Sequence, residues 1–145
     1  MKVADVKKVA IFGAGTMGPG LAQTFAVAGY QVCVYTRRQE TLDKAKSVTM
    51  QNMKTFVESG ILSEQDLQPA YDRIAWTLSV EECGKDADLV IETVAEKKDI
   101  KQELYEALDK ICPERTIFTS NTSYLNIYDI MPEARLAQTV IAHWF

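Results

Sequence analysis

The chain has 145 residues, 47% of them hydrophobic and 25% charged, with a formal net charge of -4; these are the proportions of one soluble globular domain, whose single core buries roughly two-thirds of the unfolded surface. No apolar run approaches the roughly 18 residues of a bilayer span, and Lys and Arg are scattered rather than gathered in a stripe, so neither a membrane nor a nucleic acid is an expected partner. Cys33, Cys83 and Cys112 are odd in number, sit in or beside apolar runs and lack Cys-x-x-Cys spacing, which predicts buried thiols in a reducing, cytoplasmic setting rather than a disulfide framework or a metal site.

The first element is the apolar run at 9–12 (Val-Ala-Ile-Phe), ending at Gly13 as a strand covered on both faces does. Met17, Leu21, Phe25 and Ala28 then recur at helical spacing up to Gly29, which supplies the positive φ that closes a helix. A second strand at 31–35 completes a strand–helix–strand unit, near the ~30 residues of a parallel crossover. Leu42, Ala45, Val48, Thr49, Met53, Phe56 and Val57 hold the helical period for longer than most crossovers need. Gly60 stops that helix, and Ser63-Glu64-Gln65-Asp66 resembles a capping box opening another helix through Leu67 and Tyr71. Strands follow at 74–76 and 89–91. Ile100, Leu104, Leu108 and Ile111 mark a helix ended by Pro113, with further strands at 116–119 and 140–142.

Strands alternating with helices specify an α/β fold: a doubly wound, mostly parallel sheet with a helical hairpin inserted after the second strand. Residues 1–145 are expected to form one domain. Ligands of such sheets bind beyond the carboxyl ends of the strands at the switch point, so candidate functional residues are those just after strands.

Gly13-Ala14-Gly15-Thr16-Met17-Gly18 fits Gly-x-Gly-x-x-Gly and lies where that pattern has meaning, between an apolar strand and an amphipathic helix. The first glycine permits the turn, the second lets a pyrophosphate approach the backbone, and the third lets helix pack on strand. The helix start then offers unpaired N–H groups to phosphate. The pattern predicts a Rossmann-type site in which Gly13, Gly15, Thr16, Met17 and Gly18 hold a dinucleotide; a ligand-free glycine turn is the alternative. No Gly-Lys-Ser/Thr follows, which disfavours a mononucleotide P-loop. NAD-binding units usually end their second strand with a carboxylate for the adenine ribose. Here the chain reads Tyr35-Thr36-Arg37-Arg38, with no carboxylate to repel a 2′-phosphate and two guanidiniums to bind it, so the position leans to NADP over NAD. Solvated loop arginines are the alternative.

From Gly13 onward the chain resembles the NAD-binding domain of the L-3-hydroxyacyl-CoA dehydrogenase family, which includes 3-hydroxybutyryl-CoA dehydrogenases and relatives acting on free hydroxy acids. The residues that carry the resemblance are Gly-Ala-Gly-Thr-Met-Gly-Pro-Gly at 13–20, Asp-Leu-Val-Ile-Glu-Thr-Val-Ala-Glu at 88–96, Ser-Asn-Thr-Ser at 120–123 and the closing Ala-His-Trp-Phe at 142–145. The resemblance implies that Glu96 and Lys101 line the nicotinamide-ribose side, that Asn121 and Ser123 contact the nicotinamide end and the substrate oxygen, and that His143 is the general base. It further implies reversible oxidation of a 3-hydroxyacyl-CoA, His143 taking the hydroxyl proton and Ser123 positioning the oxygen. A glutamate after the histidine, and a helical C-terminal domain that closes the pocket and forms a homodimer, are implied beyond Phe145, so residues 1–145 are expected to bind cofactor without turnover.

Each match has a plainer reading. Glu96 and Lys101 could be a solvated helix-start acid and an exposed lysine, Ser120–Ser123 a polar turn, and His143 a structural histidine. Thr36-Arg37-Arg38 departs from the family's usual aspartate, and Trp144 from a smaller aromatic. Asn52 and Ser59 stand where the family has coenzyme A contacts, which keeps a free hydroxy acid as the alternative substrate. A dinucleotide-binding sensor without catalysis is the reading from another class.

Overall fold

The computed structural model describes residues 3–142. Within them lies a sheet of six strands, β1 (Lys8–Phe12), β2 (Gln31–Tyr35), β3 (Ile74–Thr77), β4 (Leu89–Glu92), β5 (Ile117–Ser120) and β6 (Thr139–Ile141), in the order β3-β2-β1-β4-β5-β6. All five pairings are parallel, so the expected mostly parallel sheet is wholly parallel here. The helices are α1 (Gly18–Val27), α2 (Gln39–Glu58), α3 (Glu64–Tyr71), α4 (Val80–Gly84) and α5 (Lys98–Ile111). The order reverses between β1 and β4, which places the switch point beside the Gly13 turn.

Alternation along the strands divides one sheet between two cores. Val9 and Ile11 of β1 and Val32 and Val34 of β2 face α1, α2 and α3, through Leu21, Ala22, Ala26, Ala45, Met53 and Ala70. Ala10, Phe12 and Cys33 face the other way, toward α4 and α5, with Cys83, Leu104, Tyr105, Leu108 and Phe118. Burial on both faces explains why β1 reads as an unbroken apolar run rather than an alternating one. Phe12 is fully buried, which stabilises the fold by roughly 1.5–3 kcal/mol. The three cysteines are free and buried, as their spacing predicts, and burial pushes the Cys112 thiol up to about 11.

The hairpin is present as α2 and α3. Ser63 caps α3 by accepting from the Asp66 N–H. The crossover from β3 to β4 contains α4, a helix absent from the expected elements. It is capped by Ser79, whose side chain accepts from the Glu82 N–H. Observed strand ends shift by one residue: β5 runs through Ser120, which joins the strand instead of the polar turn, and β6 begins at Thr139.

Register fixes the geometry of the carboxyl edge. Phe12 is level with Tyr35 on one side and Glu92 on the other, and Glu92 is level with Ser120. The loops that begin at Gly13, Thr36, Thr93 and Asn121 therefore leave the sheet together on one edge.

Candidate functional site

At the centre of that edge the chain turns at Gly13 with φ +123°, a conformation side chains rarely adopt, and a Cβ there would lie 2.6 Å from the Thr93 carbonyl oxygen. Gly18 begins α1 so close to the strand end that its Cβ would meet the Gly13 oxygen at 2.2 Å. Thr93 locks the turn by donating from Oγ1 to the Gly13 carbonyl at 2.9 Å. Gly15 differs from both, since a Cβ there would meet nothing within 4 Å. Space is thus reserved above the Gly15 backbone, while Met17, at the start of α1, offers no side-chain cap to the first-turn N–H groups. An open cradle over an uncapped helix start fits a pyrophosphate. Thr16 is exposed at this turn and Met17 half-buried.

Gly13, Ala14 and Gly15 form one side of a cleft of about 340 Å³, within the roughly 300–1,000 Å³ of small-molecule sites. Tyr35, Thr36, Arg37 and Arg38 form its second side, and Val94, Ile100, Leu104 and Ala107 line the α5 side. Arg37 and Arg38 are exposed, and neither makes an ion pair among the described residues. The glycine turn and the ribose-reading position thus meet in one cavity. An adenosine with its phosphates fits these residues: polar backbone for phosphate, cations at the ribose, apolar side chains for the base.

A second polar group stands at the ends of β4 and β5. Lys101 is fully buried, with Nζ 2.7 Å from each Glu92 carboxylate oxygen and 3.0 Å from Glu96 Oε2. Glu92, equally buried, also accepts from Ser120 Oγ at 2.5 Å and from the Val94 N–H at 2.7 Å. Burial pushes the Glu96 carboxyl up, but hydrogen bonds from Thr122, Lys101 and the Ser123 N–H, together with the Lys101 charge, outweigh it and hold the group below its usual value. Glu96 is therefore a fixed carboxylate, tied to the loop that carries Asn121 and Ser123. Ser123 is exposed, and Asn121 is half-buried with its N–H donating to the Glu92 carbonyl at 2.9 Å. Tyr105 beneath them stays protonated, its phenol raised first by burial and then by the Glu92 charge, and donates to the Thr119 carbonyl at 3.1 Å.

The structure thus gathers Gly13, Gly15, Thr36, Arg37 and Arg38 around one cleft, and Glu96, Asn121 and Ser123 around a second polar cluster on the same edge. Lys101 does not line that cluster as a free cation. It lies beneath Glu96 with its charge consumed by two carboxylates, and the exposed-lysine reading fails equally. His143 lies outside the described residues. Sequence reasoning passed over Glu92, Ser120, Thr93 and Thr122. The visible signal was the acid closing an otherwise apolar β4, since a charge at a strand end buried on both faces requires a partner.

Fold, glycine turn and cleft together define a Rossmann-type dinucleotide-binding domain. Residues 8–145 match the family described as 3-hydroxyacyl-CoA dehydrogenase, NAD binding domain, and the chain belongs to that family. It is 35% identical over 139 residues to a 3-hydroxybutyryl-CoA dehydrogenase of Clostridioides difficile, covering 95% of this chain and 49% of the relative. It is 36% identical over 141 residues to a probable 3-hydroxybutyryl-CoA dehydrogenase of Bacillus subtilis, covering 97% and 49%. Among solved structures, the 3-hydroxybutyryl-CoA dehydrogenase of Escherichia coli superposes with a TM-score of 0.88 at 30% identity, over 97% of this chain and 30% of that one. The chain spans about half the length of the Clostridioides and Bacillus relatives. No helix among the described residues is long and apolar enough to cross a membrane.

Proposed function

We propose that the chain is the cofactor-holding half of an oxidoreductase that interconverts a 3-hydroxyacyl-CoA and the 3-ketoacyl-CoA, and that its cleft admits NADP at least as well as NAD. The observation that supports this best is the pairing, on one carboxyl edge, of an open glycine cradle with a fixed polar cluster bearing Glu96, Asn121 and Ser123. The nicotinamide, when bound, supplies the hydride acceptor or donor. Gly13, Gly15, Thr16, Met17 and Gly18 hold the pyrophosphate, Asn121 and Glu96 orient the nicotinamide end, and Ser123 donates to the substrate oxygen. Lys101 sets Glu96 from below rather than touching the cofactor. His143 takes the proton of the substrate hydroxyl in oxidation and returns it in reduction. Three buried thiols suit the reducing cytoplasm.

The relatives are about twice as long as this chain, which leaves room for the further domain of this reading, one that is helical, completes the substrate pocket and forms a dimer. Residues 1–145 alone then bind cofactor and do not reduce acetoacetyl-CoA. Turnover by residues 1–145 would overturn this division of labour.

The NADP reading rests on two unpaired guanidiniums where a ribose-binding carboxylate is usual. Calorimetric titration with NADH and NADPH tests it. Charge-assisted hydrogen bonds to the 2′-phosphate favour NADPH by about tenfold, and replacing Arg37 and Arg38 by Ala removes the difference. Tighter NADH binding by the unaltered chain refutes the reading.

A further inference from the structure

One wall of the cleft carries a group that neither the glycine turn nor the ribose position uses. Ile100, Glu103, Leu104 and Ala107 of α5 line it at helical spacing. Three are apolar, and with Val80 and Val94 they form a slot suited to the flat face of a purine. Glu103 is exposed, is the acidic side chain of this lining, and makes no hydrogen bond or ion pair among the described residues. Arg37 and Arg38 line the same cleft and leave it unpaired.

Charge pairing along the helix gives no reason for an acid at this position. Asp99 stands four residues before Glu103 and Glu106 three after, so the helix carries a like charge on each side of it along that face, an arrangement that disfavours a helix. A lysine at 103 would relieve both repulsions. In the cleft the carboxylate is free to meet a donor that the helix does not supply.

We infer that Glu103 accepts a hydrogen bond from the exocyclic 6-amino group of the adenine, and so selects adenine over 6-oxo purines. The inference rests on the proposed dinucleotide reading. With phosphates at Gly13–Gly15 and ribose at Thr36–Arg38, the apolar slot on α5 receives the base, and Glu103 meets its polar edge. A carboxylate has only acceptor atoms, so it satisfies an amine and repels the carbonyl oxygen that hypoxanthine or guanine carries at the same place.

The test is titration of residues 1–145 with NADH and with reduced nicotinamide hypoxanthine dinucleotide, which differ at purine C6. The unaltered chain binds NADH about tenfold more tightly, the worth of one partly exposed hydrogen bond to a charged acceptor. Glu103→Gln, whose amide can turn its oxygen to the amine or its nitrogen to the carbonyl, narrows the gap to about twofold, and Glu103→Ala lowers NADH affinity toward that of the hypoxanthine analogue. Both variants alter an exposed side chain, and circular dichroism checks that they fold. Equal binding of both dinucleotides by the unaltered chain overturns the inference, as does a gap that survives in Glu103→Gln. A Glu103→Gln variant that gains NADPH affinity while keeping its purine preference assigns the carboxylate to the phosphate end instead and also overturns it. Failure to bind either dinucleotide, by a folded chain, sinks the underlying reading rather than the choice of base.

Discussion

The three motif glycines do different work, and substitution separates them. Ala at 13 or 18 collides with backbone, at Cβ distances of 2.6 and 2.2 Å, so those changes act on folding. Ala at 15 meets nothing, and the φ there is not positive, so stability should stay within about 0.5 kcal/mol, judged by urea unfolding. The methyl would stand where the proposed reading brings the phosphate, and NADH affinity should fall by about tenfold or more, on the order of the loss of one charge-assisted contact. Lys101 offers the opposite case, a residue whose value is structural. Lys101→Met leaves the Glu92 carboxylate buried beside an apolar side chain, and breaking one partner of such a pair costs about 3–5 kcal/mol. Replacing Glu92 by Leu as well removes the stranded charge, so the double variant should be more stable than Lys101→Met. Strictly additive losses in a double-mutant cycle would dismiss the network as an energetic unit.

Among the elements, β4 joins the most distant parts of the chain. Asp88, just before it, accepts from the Lys7 and Lys8 N–H groups at 2.9 and 3.0 Å and from Arg115 Nε at 2.9 Å. Burial raises its carboxyl, but these hydrogen bonds and the Arg115 charge hold it below its usual value. A folded value below the unfolded one stabilises the protein above the ordinary aspartate range near ~4. That contribution is lost as pH falls through the lower folded value. Asp88→Asn should cost roughly 1–3 kcal/mol at pH 7 and flatten the acid limb of a stability–pH curve measured by denaturant titration.

Legibility also differed from element to element. Strands β1, β2 and β4 were readable because burial on both faces demands apolar runs, β5 from Ile117-Phe118 alone, and the α2–α3 hairpin because Gly60 and the Ser63 cap punctuate it. Helix α4 escaped because five residues hold too little periodicity. Its one signal was Ser79-x-x-Glu82, the pattern that located α3. The tight glycine turn was readable from spacing, whereas the burial of Lys101 was not, since nothing in spacing reveals that a lysine folds inward to meet a strand-end acid 9 residues away.

On the scale of the whole molecule, a chain of net charge -4 binds an anion, so its general field opposes the ligand and attraction must be local. For NADH the attractive groups are backbone N–H dipoles held in fixed places. On the proposed reading the exposed Arg37 and Arg38 add to them for NADPH, and exposed charges are screened at a Debye length of roughly 8 Å at physiological salt and 3 Å at 1 M. The two cofactors should therefore differ in salt response as well as in affinity. Binding to the folded state alone stabilises by about 2.7 kcal/mol at a hundredfold excess over Kd, a rise in Tm of about 8 °C for a domain of this size. At 50 mM salt and equal concentration NADPH should raise Tm further than NADH. At 1 M salt the two shifts should converge, with the NADH shift little changed because repulsion from the net charge is screened as well. Arg37→Ala/Arg38→Ala should give the converged behaviour at both salt concentrations. An NADPH advantage that persists undiminished at 1 M salt would place its origin in a buried contact and not at these two arginines.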